Sequence, residues 1–103
     1  MNKVELKNMP YAAVPFKILE DKDISDSELR LYAIILFFAS KEGYCYASNN
    51  YLGDMLGIKT RAVQTRLQKL VDKGYVLRSF TMNSNLVEQR KLEINTEIFD
   101  KVN

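Results

Sequence analysis

Two short amphipathic segments in the middle of the chain stand only three residues apart. Residues 50–56 carry apolar side chains at Leu52, Met55 and Leu56, and residues 60–73 carry them at Val63, Leu67, Leu70 and Val71. Both patterns have the period of a helix that buries one face. Gly57, Ile58 and Lys59 alone separate them. A turn this short makes the two helices cross at a steep angle. Ser48 or Asn49 is placed to cap the first helix, Gly57 ends it, and Gly74 stops the second.

The flanking sequence builds around this pair. Upstream, Ser25-Asp26-Ser27-Glu28 has the spacing of a capping box and starts a helix expected to run over about 26–41, with Gly43 as its stop. One stripe of that helix is Leu29, Tyr32, Ala33 and Leu36, with Ala39 or Ser40; another is Leu31, Ile34, Ile35 and Phe38. A helix apolar on most sides must be covered on most sides. It is the central helix of the domain or half of a dimer interface. Before it, Pro10 and Pro15 bracket an extended stretch, and Phe16 to Glu20 fits a short helical turn. Tyr44 to Ala47 is a short β-prone run. After Gly74 the apolar period changes to two. Tyr75 to Met82 and Glu88 to Asn95 read as strands joined by a turn at Asn83-Ser84-Asn85, giving a hairpin over about 75–95. Thr96 to Asn103 is expected to form a short C-terminal helix. The order helix, short strand, helix, turn, helix, hairpin is an α+β winged helix-turn-helix, expected to occupy residues 1–103 as one domain.

Charge is distributed unevenly. The chain carries a net +2, yet residues 59–91 hold eight positive and two negative side chains, a net of +6. The flanks are acidic. Such a segment suits a polyanion. Several function classes drop out. The sequence has no histidine, which removes the commonest general base and metal ligand. Its four glycines are scattered and form no phosphate-binding loop. No catalysis, cofactor or metal is expected. The six tyrosines and five phenylalanines are spread along the chain like core residues and form no stacking platform for single strands. The longest apolar run, Leu31 to Ala39, is far too short to span a membrane. Cys45 is the only cysteine, so no intrachain disulfide can form, and a reduced, cytoplasmic setting is expected.

Several stretches resemble a known family. They are Ile24-Ser25-Asp26-Ser27-Glu28-Leu29-Arg30-Leu31-Tyr32, Gly43-Tyr44-Cys45-Tyr46-Ala47-Ser48-Asn49, Leu52-Gly53-Asp54-Met55-Leu56-Gly57-Ile58, Val63-Gln64, Leu67-Gln68-Lys69-Leu70 and Lys73-Gly74-Tyr75-Val76. Together they look like the N-terminal winged-helix domains of RepA-type plasmid replication initiators and phage replisome-organiser proteins of low-GC Gram-positive bacteria. The resemblance covers about residues 10–80. It implies origin recognition on double-stranded DNA, with other replication proteins engaged through regions absent from this chain. Two departures stand out. Lys59 and Ala62 replace the family's usual Ser and Thr, so the usual cap of the second helix is missing and Thr60 becomes the candidate cap. Gly53 stands where the family usually has alanine, which close approach of the two helices would explain.

On a helical projection from Val63 at about 100° per residue, Arg61, Thr65, Gln68 and Lys69 lie opposite the apolar face. Gln64 and Arg66 lie on its flanks. The N-terminal part of this exposed face enters the major groove in a helix-turn-helix. Arg61 suits guanine, and Gln64 or Gln68 suits adenine. Thr60 and Thr65 reach bases or phosphates, while Lys59, Arg66 and Lys69 add charge, Lys69 and Lys73 fitting phosphates best. On the wing, Arg78, Arg90 and Lys91 are candidate DNA contacts. A homodimer through the first helix or the N-terminal segment is expected. Two rivals remain open: a self-contained transcription regulator, and a protein-interaction winged helix that works through its apolar first helix.

Overall fold

Ser25 and Glu28 cap each other as their spacing predicts. Glu28 N–H donates to Ser25 Oγ at 3.1 Å, and Ser25 N–H donates to Glu28 Oε1 at 2.9 Å. The computed structural model describes residues 9–99. Helix α1 is a single turn, Phe16–Leu19, and α2 runs over Asp26–Glu42. The pair that follows is α3, Asn49–Leu56, and α4, Thr60–Asp72. Strands β1, Val76–Met82, and β2, Glu88–Ile94, form an antiparallel hairpin in which Val76 faces Ile94 and Met82 faces Glu88. The fold is an α+β winged helix-turn-helix.

Helix α2 is the central helix. Leu31, Tyr32, Ile35 and Ala39 are buried, and Leu29, Ile34, Leu36 and Phe38 pack partly against the core. It is covered by α4 and β2. Leu52 and Leu56 of α3, Val63, Leu67 and Leu70 of α4, and Val76 and Leu92 of the hairpin, with Ile18, Cys45 and Tyr75, complete that core. The β-prone run after α2 pairs with the hairpin at one point only: Cys45 and Leu92 exchange backbone hydrogen bonds of 2.8 and 2.9 Å. Cys45 is buried, and burial pushes its thiol pKa up. The Tyr32 hydroxyl is enclosed with no hydrogen-bond partner among the described residues, and burial raises its pKa to about 12.

The turn between α3 and α4 depends on two glycines. Gly57 sits at φ 72°, a left-handed conformation that glycine adopts without a Cβ penalty. Gly53 lies against the turn itself. A Cβ there would stand 2.6 Å from the Ile58 carbonyl oxygen and 3.5 Å from Val63 Cγ2. Glycine at 53 therefore lets the turn fold back onto α3, where Ile58 N–H donates to Gly53 O at 2.9 Å.

Some boundaries differ from the sequence-based expectation. Ser48, not Asn49, caps α3, its Oγ accepting from Tyr51 N–H at 3.0 Å. Thr60 is the first residue inside α4 and does not cap it; Lys59 holds the cap position, where its side chain makes no capping bond. An ammonium is donor-only and has no lone pair to offer the helix N–H groups. The expected C-terminal helix is a single 3₁₀ turn, Glu97–Phe99, within the described residues, and residues 100–103 lie outside them. The hairpin loop reaches past Asn85 to Val87, with Leu86 at φ 62°.

Candidate nucleic-acid interface

The start of α4 is the least encumbered part of the basic segment. Lys59, Thr60, Arg61 and Gln64 are exposed, and none makes a side-chain hydrogen bond or ion pair with the described residues. Without a side-chain cap, the N–H groups of Thr60 and Arg61 also remain available, and they carry the positive end of the helix dipole. Thr65 is exposed too, but its hydroxyl donates back to Arg61 O at 3.1 Å. Arg66 is half-buried on the flank.

The second half of α4 is occupied internally. Gln68 Nε2 donates to Asp72 Oδ1 at 2.8 Å, while Gln68 Oε1 accepts from Arg78 Nη2 at 3.0 Å. The amide is held at both ends by groups of this chain. Lys69 Nζ stands 3.9 Å from Asp23 Oδ1, a loose pair. Lys73, expected to be exposed, is half-buried and pairs with Asp21 at 3.0 Å and Asp23 at 3.3 Å. Tyr75 closes this cluster by donating to Asp21 Oδ2 at 2.6 Å. The Tyr75 hydroxyl, the Asp23 N–H and the Lys73 ammonium together hold the Asp21 carboxyl down at about 2. The acidic turn before α2 thus neutralises the basic end of α4.

The hairpin presents two faces, because alternate strand residues point to opposite sides and directly opposed residues share one. Val76, Arg78, Phe80, Leu92 and Arg90 lie on the face toward the helices. Arg78, Phe80 and Arg90, with Gln64 and Gln68 of α4 and Asn49 of α3, line a groove between wing and α4. Arg90 has structural partners there. Its Nη1 donates to Asn49 Oδ1 at 2.6 Å and its Nη2 to Ala47 O at 2.8 Å. Burial lowers its pKa. Lys91 lies on the opposite face, its Nζ 3.8 Å from the centre of the Tyr44 ring. Of the predicted contacts, then, Gln64, Gln68, Arg78 and Arg90 are brought together in this groove, Lys69 lines a second depression with Gln64, Thr65 and Gln68, and Lys91 points elsewhere.

Asn49 was legible in the sequence only as a candidate cap. Its role as acceptor for Arg90 joins residues 41 positions apart, and no local pattern signals that. No group of three or more metal-binding side chains occurs among the described residues, and no described helix is long and apolar enough to cross a membrane.

A family model described as a helix-turn-helix domain matches residues 22–76. This chain belongs to the helix-turn-helix family. The match runs from the acidic turn before α2 to the first residue of β1, so it covers α2, α3 and α4 and stops where the wing begins. No curated protein matches the chain.

Proposed function

We propose that this helix-turn-helix domain reads a specific sequence in double-stranded DNA, and does so by binding alone, without catalysis. The observation that carries this reading is the start of α4. There Lys59, Thr60, Arg61 and Gln64 face solvent free of partners among the described residues, at the end of the helix that enters the major groove in this motif. Arg61 is assigned to guanine and Gln64 to adenine. Lys59, Thr60 and the first N–H groups of α4 are assigned to phosphates. Arg78 adds charge from the wing.

The biological setting we favour is origin recognition by a plasmid or phage replication initiator, with later steps left to other replication proteins. The support is the sequence resemblance over about residues 10–80. A transcription regulator is the alternative. Footprinting on the source replicon separates them: protection of repeated sites at an origin supports the first, and protection of a promoter alone supports the second. Duplex titration at two salt concentrations tests DNA binding itself. The logarithm of the binding constant should fall by about 0.9 per phosphate neutralised for each decade of salt. An affinity independent of salt would contradict the reading.

Self-association, if it accompanies binding, is assigned to the N-terminal segment rather than to α2. The apolar sides of α2 are largely engaged by α4 and β2, whereas Tyr11, Phe16 and Leu19 are exposed. Sedimentation of wild type and Phe16→Ser, with and without DNA, tests this: a monomer throughout removes the dimer.

A further inference from the structure

The hairpin loop has a geometry that ordinarily selects glycine, and this chain places leucine there. Leu86 N–H donates to Asn83 O at 2.9 Å, and Asn83 N–H donates to Val87 O at 3.0 Å. Ser84 and Asn85 form the centre of the turn, and Leu86 follows in the left-handed region at φ 62°. Three-residue hairpin loops of this kind favour glycine at that position, because a Cβ there crowds the next carbonyl. The Asn83 side chain holds the loop in shape, its Oδ1 accepting from Asn85 N–H at 2.9 Å and from Val87 N–H at 3.0 Å. A branched apolar residue is thus kept in a strained conformation, and it gains no core packing in return. Leu86 is 77 % exposed, more than any other large apolar residue among those described.

The apolar character continues down the wing. Phe80 and Met82 are 57 % and 61 % exposed, and both lie on the sheet face that carries Arg78 and Arg90. Phe80 also lines the groove beside Gln64 and Gln68. Phe80 thus links the apolar residues of this sheet face to the proposed base-reading surface. Strain retained at a solvent-facing position points to use of that position.

We infer that the wing tip is an apolar wedge for duplex DNA: with α4 in the major groove, Leu86, backed by Met82, enters a neighbouring minor groove and pries open a base step. The inference rests on the DNA-reading function proposed above. Apolar side chains inserted in this way unstack a step and bend the duplex toward the major groove. Pyrimidine–purine steps yield most readily. The domain then prefers a flexible step at a fixed distance from the bases read by Arg61 and Gln64, although no side chain hydrogen-bonds to that step.

The test uses a duplex selected by wild-type protein from a random-sequence pool, with 2-aminopurine at successive positions and a fluorophore at each end. Wild type, Leu86→Gly and Leu86→Asn are compared. Glycine and asparagine both tolerate the left-handed conformation, so both variants keep the fold and melt no lower than wild type. Wild type should bend the duplex and raise 2-aminopurine fluorescence at one step. Both variants should lose the bend and the signal, bind roughly tenfold more weakly for the lost apolar burial, and keep their preference for the selected duplex over random DNA. A straight duplex with wild type, or unchanged bending by the variants, overturns the wedge. So does a wild-type dimer that the variants dissolve, since the tip would then be covered by a second copy. Failure of wild type to select any sequence overturns the DNA reading itself, which keeps the two failures apart.

Discussion

Arg90 of β2 donates to Asn49 Oδ1 at 2.6 Å, and through that bond the wing is fastened to the start of the first helix of the helix-turn-helix. The second fork of the guanidinium reaches Ala47 O, so a half-buried charge is satisfied on two sides. Arg90→Ala should lower stability by about 2 kcal/mol, in the range for hydrogen bonds to charged groups. Arg90→Lys should recover little, because an ammonium cannot reproduce the two-pronged geometry. Thermal melts of both variants check this. A melting temperature unchanged in Arg90→Ala would mean that the buried Val76 and Leu92, the Cys45 bridge and the Arg78–Gln68 bond hold the wing without it.

Gly53→Ala sets helix propensity against space. Alanine gains about 1 kcal/mol of propensity within a helix. Its Cβ would meet the Ile58 carbonyl oxygen at 2.6 Å, a backbone atom that cannot rotate away. The clash should prevail, giving a net loss of stability and a displaced turn. Denaturant titration measures the first, and amide shifts at Ile58 and Lys59 report the second.

Lys59→Ser should stabilise the domain by about 1 kcal/mol, because a hydroxyl at the cap accepts from the free N–H groups of α4 and the lysine does not. The same change should weaken DNA binding, since it removes a charge and occupies a donor assigned to phosphate. Opposite signs in melting and binding experiments are the expected outcome.

Arg61 and Gln68 should separate reading from positioning. Arg61→Ala should reduce affinity for the selected duplex by about 1–3 kcal/mol and far less for random DNA. Gln68→Ala should leave the ratio of selected to random affinity nearly unchanged, because both ends of its amide are engaged by Arg78 and Asp72. Competition binding with the two duplexes gives both ratios. If Gln68→Ala collapses the ratio, its internal bonds open on binding.

The Asp21 cluster predicts how stability depends on pH. Asp21 is held at about 2, below its ordinary value of 3.8, so its contribution is complete above about pH 4 and is lost as pH falls toward 2. Burial and the bond to Asp21 raise Tyr75 to about 12, and burial raises Tyr32 to about 12. Stability from these two is present below about pH 10 and is lost as pH rises through 12. Tyr75→Phe should flatten the acid limb, and tyrosinate absorbance should show two groups titrating late. Urea melts across pH check the first.

Local patterns determined much of this protein. The capping box at Ser25 and Glu28, the period of Val63, Leu67 and Leu70, and the change to a two-residue period after Gly74 each act within a few residues. They sufficed to define the helices, the short turn and the hairpin. What lay beyond them depended on partners distant in the chain. Asp21 and Asp23 reach Lys73 across some fifty positions, and Asn49 meets Arg90 across 41. These contacts decide which basic side chains remain free for DNA. A helical projection gives the direction of Lys73 and Gln68 but not what waits there. The packing of α4 against α2 and the docking of the wing bring those partners in. Charge at the start of α4 stays outward because nothing packs over it, while charge at its end is spent on holding the fold together.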